Sequence, residues 1–206
     1  MALPTPLHRP HIGFFGGTFD PFHIGHLMLV DELFAHAKVE KLLLCPAFKA
    51  PLRREKALFK ACDRLAMVQA VASEHSRLEV LDYEIRRKRV CYTYETIQEV
   101  RRLYPTLPVL MLIGADQFNR LAQWKFLDRL LPVVHMLVFL RDRSTHPVPP
   151  KVRHLSYSVM KNPLVPVSST EIRERIAKHQ SVLGLVPQTV LDYLQTKDLP
   201  SCIPSP

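Results

Sequence analysis

The sequence predicts an α/β fold: a Rossmann-like doubly wound parallel sheet followed by a small C-terminal helical part. Three observations support this prediction. Short apolar runs alternate with helix-like segments of roughly 10–15 residues, as in parallel sheets with right-handed crossovers. A glycine turn joins the first apolar run to a helix, and a later run also ends at a glycine. The 206 residues, 47% of them hydrophobic and 23% charged, can bury one substantial core.

The first half of the chain supplies three predicted strands and two predicted helices. Residues 12–15 form an apolar run that ends at a Gly-Gly pair, and residues 24–37 repeat apolar side chains at helical spacing. Residues 41–45 are apolar up to a proline, as in a strand that is buried on both faces. Residues 63–73 again show helical spacing, and the short run 78–81 predicts the third strand.

The second half continues the alternation. Residues 93–103 predict a helix that a proline stops, and the apolar run 108–113 predicts a strand that leads directly into Gly-Ala-Asp. Residues 133–140 predict the fifth strand, and a basic, proline-rich connector covers 141–151. A last helix is predicted to open at Ser168 and to run through Ile176.

These elements predict a Rossmann-like core over residues 11–166 and a helical subdomain over 167–199, which together form one functional domain. Ligands of such sheets bind beyond the carboxyl ends of the strands, at the point where the strand order reverses. The glycine turn, the Gly-Ala-Asp sequence and the turn after Val165 all fall at that edge. We therefore expect three distant segments to meet at one site.

The net charge of +9 favours an anionic partner, either a nucleic acid, a membrane surface or a phosphate-rich small molecule. The basic residues are spread along the chain, and the densest cluster, residues 86–89, is only four long. Such a short run is more typical of a solvated surface than of a nucleic-acid-binding arm.

Cysteine usage and hydropathy bear on the compartment. The four cysteines show neither CxxC spacing nor the paired-histidine pattern of a zinc site, which predicts free thiols in a reducing, cytoplasmic compartment. The N-terminal residues lack the charged and apolar blocks of a signal peptide. The longest apolar stretch, residues 130–140, is interrupted by a proline and is too short to cross a bilayer.

The turn after the first strand reads Gly-Gly-Thr-Phe-Asp-Pro-Phe-His-Ile-Gly-His over residues 16–26. A strand, a glycine turn and a helix start direct backbone N–H groups and the positive helix end at one point, which suits an anion. Gly16 and Gly17 permit a left-handed backbone and the close approach of a nucleotide. His23 and His26 share one face of a helix and predict a phosphate or polyphosphate ligand that the imidazoles hydrogen-bond.

A second motif, Val-Ser-Ser-Thr-Glu-Ile-Arg, covers residues 167–173. Ser168 and Glu171 form a capping box that opens a helix. Arg173 lies within the first two turns, where a cation opposes the helix dipole unless it binds a polyphosphate there. Neither the dinucleotide fingerprint GxGxxG nor the phosphate loop GxxxxGK[ST] occurs, which disfavours a hydride-transfer enzyme and an ordinary P-loop ATPase.

The two motifs resemble the paired signatures of the nucleotidyltransferase superfamily, whose members share a Rossmann-like fold. Within it, the chain is most similar to the family of bacterial nicotinate-nucleotide adenylyltransferases, which make deamido-NAD from nicotinate mononucleotide and ATP. The resemblance spans about residues 12–199. It includes Tyr-Thr-Tyr-Glu-Thr over residues 92–96, Gly-Ala-Asp over 114–116, Trp124 with Lys125, and Arg141 after the fifth strand.

The resemblance implies that ATP binds between the two motifs. His23 and His26 would bind its phosphates, with His26 closest to the transferred one, and Arg173 completes the expected catalytic set. Asp116 would bind ribose hydroxyls, while the serines and Arg173 would hold the β- and γ-phosphates. The other expected ATP-binding residues are Gly16, Gly17, Thr18, Phe19, Gly114, Ser168, Ser169 and Thr170.

The resemblance also implies a mononucleotide site. Trp124 would stack on the pyridine ring, although a sole tryptophan is often only a core aromatic. Tyr92 and Thr93 would present main-chain groups to the nicotinate carboxylate. Family members often carry Pro-Pro-His-Lys where this chain has Ala-Pro-Leu-Arg, so Arg53 is expected to replace the lysine as a phosphate clamp. The expected mononucleotide-binding residues are Tyr92, Thr93, Trp124, Lys125, Arg141 and Arg53.

The same resemblance implies Mg²⁺ bound mainly through the ATP phosphates, no metal site built by the protein, and no nucleic-acid or membrane partner. It leaves a homo-oligomer open. Two alternatives also stay open. One is a related nucleotidyltransferase with another acceptor, above all nicotinamide mononucleotide, since Trp124 and the Tyr92-Thr93 segment argue against phosphopantetheine and cytidylyl acceptors. The other is a non-catalytic, basic nucleic-acid-binding protein.

Overall fold

A computed structural model of the chain describes residues 9–52, 55–140 and 146–197. Its strands are β1 (His11–Gly17), β2 (Val39–Pro46), β3 (Leu78–Val80), β4 (Val109–Gly114), β5 (Val134–Phe139) and β6 (Tyr157–Met160). They form one sheet in the order β3-β2-β1-β4-β5-β6, and every neighbouring pair is parallel. The order reverses between β1 and β4, which is the switch point of a doubly wound sheet. The predicted fold class is confirmed.

Four of the helices match the predicted ones closely. They are α1 (Ile24–His36), α2 (Ala61–Ser73), α4 (Thr93–Leu103) and α7 (Ser169–Ala177). The sequence pattern did not single out α3 (Tyr83–Arg87), α5 (Ala115–Phe118), α6 (Leu127–Leu130) and α8 (Gln188–Gln195). These four helices are short, and a few residues hold too little of a 3.6-residue period to be recognised. Within the described ranges, no helix combines the length and apolarity needed to span a bilayer.

Strand β6 also escaped the sequence-based prediction. Its four residues, Tyr-Ser-Val-Met, alternate exposed and buried side chains at the edge of the sheet. An edge strand needs only one buried face, so it lacks the continuous apolar run that marks β2 and β4. The chain therefore adds a sixth strand beyond the predicted connector at 141–151.

The sheet separates two hydrophobic layers. On one face, the apolar side chains of α1, α2, α7 and α8 pack against β1 and β2. On the other face, Ile97 and Val100 of α4, Phe118 of α5 and Leu130 of α6 cover β4 and β5. Ile172 and Ile176 of α7 are buried in the first layer together with Leu33 of α1. The C-terminal helices thus share a core with the sheet, which fixes them beside its carboxyl edge.

A buried arginine on α2 joins the loops at that edge. Arg64 is 1% exposed. Its Nη1 donates to the carbonyl oxygens of Thr18 at 2.6 Å and Ala47 at 2.7 Å, and its Nη2 donates to that of Phe48 at 3.1 Å. Its Nε donates to the carbonyl oxygen of Phe59 at 3.3 Å. Because these carbonyls belong to the loops after β1 and β2, Arg64 holds both loops in place.

Replacing this arginine should cost far more stability than replacing an exposed one. We expect Arg64→Leu to lower the free energy of unfolding by about 3 kcal/mol, because several buried carbonyl oxygens lose their donor. The control is Arg102→Leu, which removes an exposed, solvent-screened ion pair with Glu99 and should change the free energy of unfolding far less. Urea denaturation measures both changes, and equal losses would contradict the role given to Arg64.

Candidate active site

Two adjoining cavities open at the carboxyl edge of the sheet. The first has a volume of about 680 Å³ and lies between the β1–α1 turn and the start of α7. The second, of about 590 Å³, lies between β1, β4 and the start of α4. Residues 15–18 and Phe139 contribute to the walls of both. The two cavities therefore meet at the end of β1, beside the switch point of the sheet.

The histidine pair of the first cavity is ordered by the start of α1. His23 precedes the helix, and its backbone N–H donates to Nδ1 of His26 at 3.2 Å. The two imidazole rings stack with their centres 3.7 Å apart. Because Nδ1 of His26 accepts this bond, a neutral His26 carries its proton on Nε2, which is then a donor for an anion. The predicted placement of both histidines at one helix N-terminus is confirmed.

Three phenylalanines pack around His26, and one glycine makes room for His23. The ring centres of Phe15, Phe19 and Phe22 lie 5.1–5.8 Å from that of His26. These aromatic contacts leave the His26 ring little freedom to rotate. A Cβ atom on Gly25 would lie 3.1 Å from Cε1 and Nδ1 of His23, closer than side chains normally pack, so the missing side chain gives the His23 ring its space.

The glycine pair lies beside aromatic rings. Gly16 and Gly17 belong to β1, and the left-handed backbone of this turn is found at Phe19, with φ of 48°. Neither glycine therefore uses the left-handed backbone that its residue type permits. A Cβ atom would lie 3.0 Å from the Phe19 ring at Gly17 and 3.1 Å from the Phe14 ring at Gly16, so these rings pack closely against both glycines. The close approach of a nucleotide to the pair stays a prediction.

Helix α7 forms the other wall of the first cavity. Oγ of Ser168 accepts the N–H of Glu171 at 3.1 Å, as a capping residue does, and Ser169 donates to the carbonyl oxygen of Pro21 at 3.1 Å. Nη1 of Arg173 donates to the carbonyl oxygen of Asp20 at 3.1 Å, and Nη2 donates to Oγ1 of Thr170 at 3.1 Å. These bonds join the two sequence motifs directly.

Asp20 positions this wall, although the sequence analysis gave it no role. It is 1% exposed, and its carboxylate accepts the N–H groups of Leu58 at 3.1 Å and Phe59 at 3.0 Å. The same carboxylate lies 3.7 Å from Nη1 of Arg173. An aspartate before a proline in a glycine turn was the available signal, but its long-range partners are visible only in the fold.

The second cavity collects the remaining described candidates. Trp124 is half-buried, packs against the core of its face and lines the cavity. Lys125 lies with its Nζ 5.0 Å from the centre of the Tyr92 ring, at the start of α4. Gly114 and Asp116, expected to bind ATP, line this cavity and not the first. Gly114 pairs with Phe139, so it stands next to the shared wall.

Most predicted site residues therefore lie on one of the two cavity walls. The first cavity is lined by Gly16, Gly17, Thr18, Phe19, His23, His26, Ser168, Ser169, Thr170 and Arg173. The second is lined by Gly16, Gly17, Thr18, Tyr92, Thr93, Gly114, Asp116, Trp124 and Lys125. Arg53 and Arg141 lie outside the described residues. Glu84 also lines the second cavity, although no pattern in the sequence pointed to it.

The sequence profile of the cytidylyltransferase-like family matches residues 14–175, a range that contains both motifs. The chain belongs to this family. A relative from Gemmatimonas aurantiaca, named "Probable nicotinate-nucleotide adenylyltransferase", is 34% identical over 193 residues, which cover 91% of each chain. A relative of the same name from Methylacidiphilum infernorum is 30% identical over 195 residues, again 91% of each chain. The predicted resemblance is confirmed.

Solved structures support the fold of this cytidylyltransferase-like chain. The Plasmodium falciparum nicotinic acid mononucleotide adenylyltransferase complexed with APC superposes with a TM-score of 0.71 at 17% identity. The match covers 93% of this chain and 97% of that one. The same Plasmodium enzyme complexed with NaAD gives a TM-score of 0.69. At this identity the likeness extends to the fold alone.

The space required at Gly25 leads to a prediction. We expect Gly25→Ala to weaken ATP binding by about tenfold, because the added methyl displaces the His23 ring. The melting temperature should change little, since the preference of a helix for alanine over glycine, about 0.5–1 kcal/mol, offsets the cost of displacing the ring. Calorimetric titration with ATP and a thermal melt measure the two quantities.

The matched control is Asp31→Ala, which adds an alanine to the exposed face of the same helix. It should leave ATP affinity unchanged. Equal affinities of the two variants would show that the space at Gly25 has no bearing on the histidine pair.

Proposed function

We propose that this chain transfers the adenylyl group of ATP to nicotinate mononucleotide, giving deamido-NAD and pyrophosphate, a step of NAD biosynthesis. The observation that carries the proposal is the meeting of the two cavities at residues 15–18. A histidine pair and an arginine line one cavity, and aromatic residues line the other. A triphosphate donor and a pyridine mononucleotide acceptor need two such compartments with a common boundary, where the new bond forms.

The first cavity suits the triphosphate of ATP. We expect the phosphates to accept hydrogen bonds from His23 and His26 at the start of α1, from the hydroxyls at the start of α7, and from the guanidinium of Arg173. Helix N-termini and guanidinium groups are effective anion partners. Asp116 is expected to bind the ribose hydroxyls of ATP, and Gly114 beside it is expected to contact ATP, so the ribose has to lie where the cavities meet.

The second cavity suits a nicotinate nucleotide. Trp124 offers an aromatic face for the pyridine ring, and the first turn of α4 at Thr93 offers its positive end to the carboxylate. Lys125 adds a cation on the same wall. The names of the relatives support this choice of acceptor.

The proposed chemistry needs no covalent nucleophile on the protein. An oxygen of the mononucleotide phosphate, already ionised, attacks the α-phosphorus of ATP while the bond to the β-phosphate breaks and pyrophosphate leaves. The protein then has to align the two phosphates and to stabilise the developing negative charge. Nε2–H of His26 and the guanidinium of Arg173 supply fixed donors for that charge.

We expect Mg²⁺ to accompany ATP. The described residues contain no cluster of three histidine, cysteine or carboxylate side chains that could hold a metal. The carboxylate of Asp20 in the first cavity already accepts two backbone N–H groups. This set of donors fits a cation carried by phosphate oxygens and water, and when bound it would neutralise charge on the departing pyrophosphate.

The location and the alternative functions remain expectations. Cys45, Cys62 and Cys91 are free thiols, which supports the expected cytoplasmic location. The nucleic-acid alternative depends on the basic surface around residues 86–89, where Arg86 and Arg89 pair with Asp82 and Glu95. Paired charges leave less positive potential for a phosphate backbone, so this surface favours the enzyme over a nucleic-acid-binding protein.

Adenylyl transfer by the purified protein tests the proposal directly. We expect the wild type, with ATP, Mg²⁺ and nicotinate mononucleotide, to release pyrophosphate and deamido-NAD. His26→Ala should lower kcat by about a hundredfold, because a donor to the transition state is lost. Chromatography of the dinucleotide measures both. No dinucleotide from the wild type would refute the function, and a change confined to KM would refute the catalytic role of His26.

Trp124 should act on one substrate only. We expect Trp124→Ala to raise the KM for nicotinate mononucleotide by about tenfold, since an aromatic stacking contact is worth on the order of 1 kcal/mol or more. The KM for ATP should change little, because Trp124 lines only the second cavity. Initial rates with each substrate varied in turn measure the effect, and an equal rise for both would exclude stacking on the acceptor.

A further inference from the structure

A buried glutamate is one of the residues that line the cavity in which we place a carboxylate substrate. Glu84 of α3 is 8% exposed and contributes to the wall of the second cavity beside Tyr92 and Thr93. Its Oε1 accepts the hydroxyl of Thr96, on the first turns of α4, at 2.9 Å. The ion pairs within the described part of the chain do not include Glu84. Its charge is thus not neutralised by a described cation in direct contact.

The surroundings of Glu84 keep its proton near neutral pH. Burial raises the pKa of Glu84 to about 7, the negative charge of Glu95 acts in the same direction, and the Thr96 hydrogen bond and Arg64 oppose the rise. Burial also raises the pKa of the neighbouring thiols of Cys45 and Cys91. Those thiols therefore stay neutral in the pH range in which Glu84 loses its proton.

The other charged groups among the described residues of the second cavity are Asp116 after β4, Arg120, and Lys125 beside Tyr92. Lys125 favours a carboxylate substituent over a neutral carboxamide through its charge. Glu84 is set apart from these three groups by its position, because it packs against α4, at whose start the substituent of the pyridine ring is proposed to bind.

We propose that Glu84 determines whether the acceptor cavity takes a pyridine carboxylate or a pyridine carboxamide, and that its proton selects the carboxylate. This inference rests on the proposed function. A protonated Glu84 can donate a hydrogen bond to a carboxylate substituent, whereas an ionised Glu84 repels it. An ionised Glu84 can accept an N–H of a carboxamide, which carries no charge. Selectivity for nicotinate over nicotinamide mononucleotide should therefore fall as the pH rises through the titration of Glu84.

The test is the ratio of kcat/KM for nicotinate mononucleotide to kcat/KM for nicotinamide mononucleotide, measured from about pH 6 to about pH 8.5. The two acceptors carry the same phosphate and ribose, and both meet the same ATP and histidines. The titrations of the phosphate, of ATP and of the histidines therefore cancel in the ratio. A pH dependence that remains in the ratio reports a group that interacts with the ring substituent. We expect the wild-type ratio to fall by about tenfold or more over this range.

Glu84→Gln keeps the shape and an acceptor for Thr96 but cannot ionise. We expect its ratio to stay flat with pH and, at the alkaline end, to exceed that of the wild type. The matched control is Glu99→Gln, which removes a carboxylate of α4 that faces Arg102 and lines neither cavity; it should show the wild-type fall.

The outcomes separate this inference from the proposed function. A ratio that falls in the wild type and is flat in Glu84→Gln supports both. Efficient transfer to nicotinate mononucleotide with a flat wild-type ratio, or with the same fall in Glu84→Gln, overturns the role of Glu84 and leaves the function intact. A flat wild-type profile overturns the role of Glu84 even if the variant does not fold. Absence of transfer to either acceptor overturns the function and the inference together.

Discussion

The contact between Arg173 and the β1–α1 turn is the interaction on which the site depends. Nη1 of Arg173 donates to the carbonyl oxygen of Asp20 across 153 residues of sequence, and Ser169 donates to Pro21 across 148. Neither bond could hold the two segments together in water. Burial of Ile172 and Ile176 in the core that also contains β1 side chains brings α7 to the turn, and the polar contacts then set its exact orientation.

Buried charge makes this edge of the sheet rigid before any ligand arrives. Arg64 donates to carbonyls of the loops after β1 and β2, and Asp20 accepts N–H groups at residues 58 and 59 while it faces Arg173. Loops joined in this way lose little entropy when a ligand binds. Donors that are already in place cost no reorganisation when charge develops in a transition state. The same residues that stabilise the loops therefore prepare the phosphate site.

The parts of the fold that follow from local pattern could be predicted from the sequence. β2 and β4 are buried on both faces and read as continuous apolar runs, while β6, exposed on alternate residues at the edge, does not. The histidine pair and the Ser168 cap also follow from spacing. Arg64 and Glu84 could not be found in this way, because a charged residue in a sequence gives no sign of its burial. That burial depends on which distant carbonyls or hydroxyls the fold brings to it.

The two buried carboxyls of the site differ in their partners, and this difference has chemical consequences. Asp20 accepts two backbone N–H groups and lies 3.7 Å from the guanidinium of Arg173, so these neighbours balance its negative charge. Glu84 accepts one hydroxyl and forms no ion pair among the described residues, and burial raises its pKa to about 7. One carboxyl holds an arginine beside the proposed triphosphate. The other can carry a proton towards a negatively charged ring substituent. A wall built for two anions can therefore contain carboxyl groups, provided each is either paired or neutral.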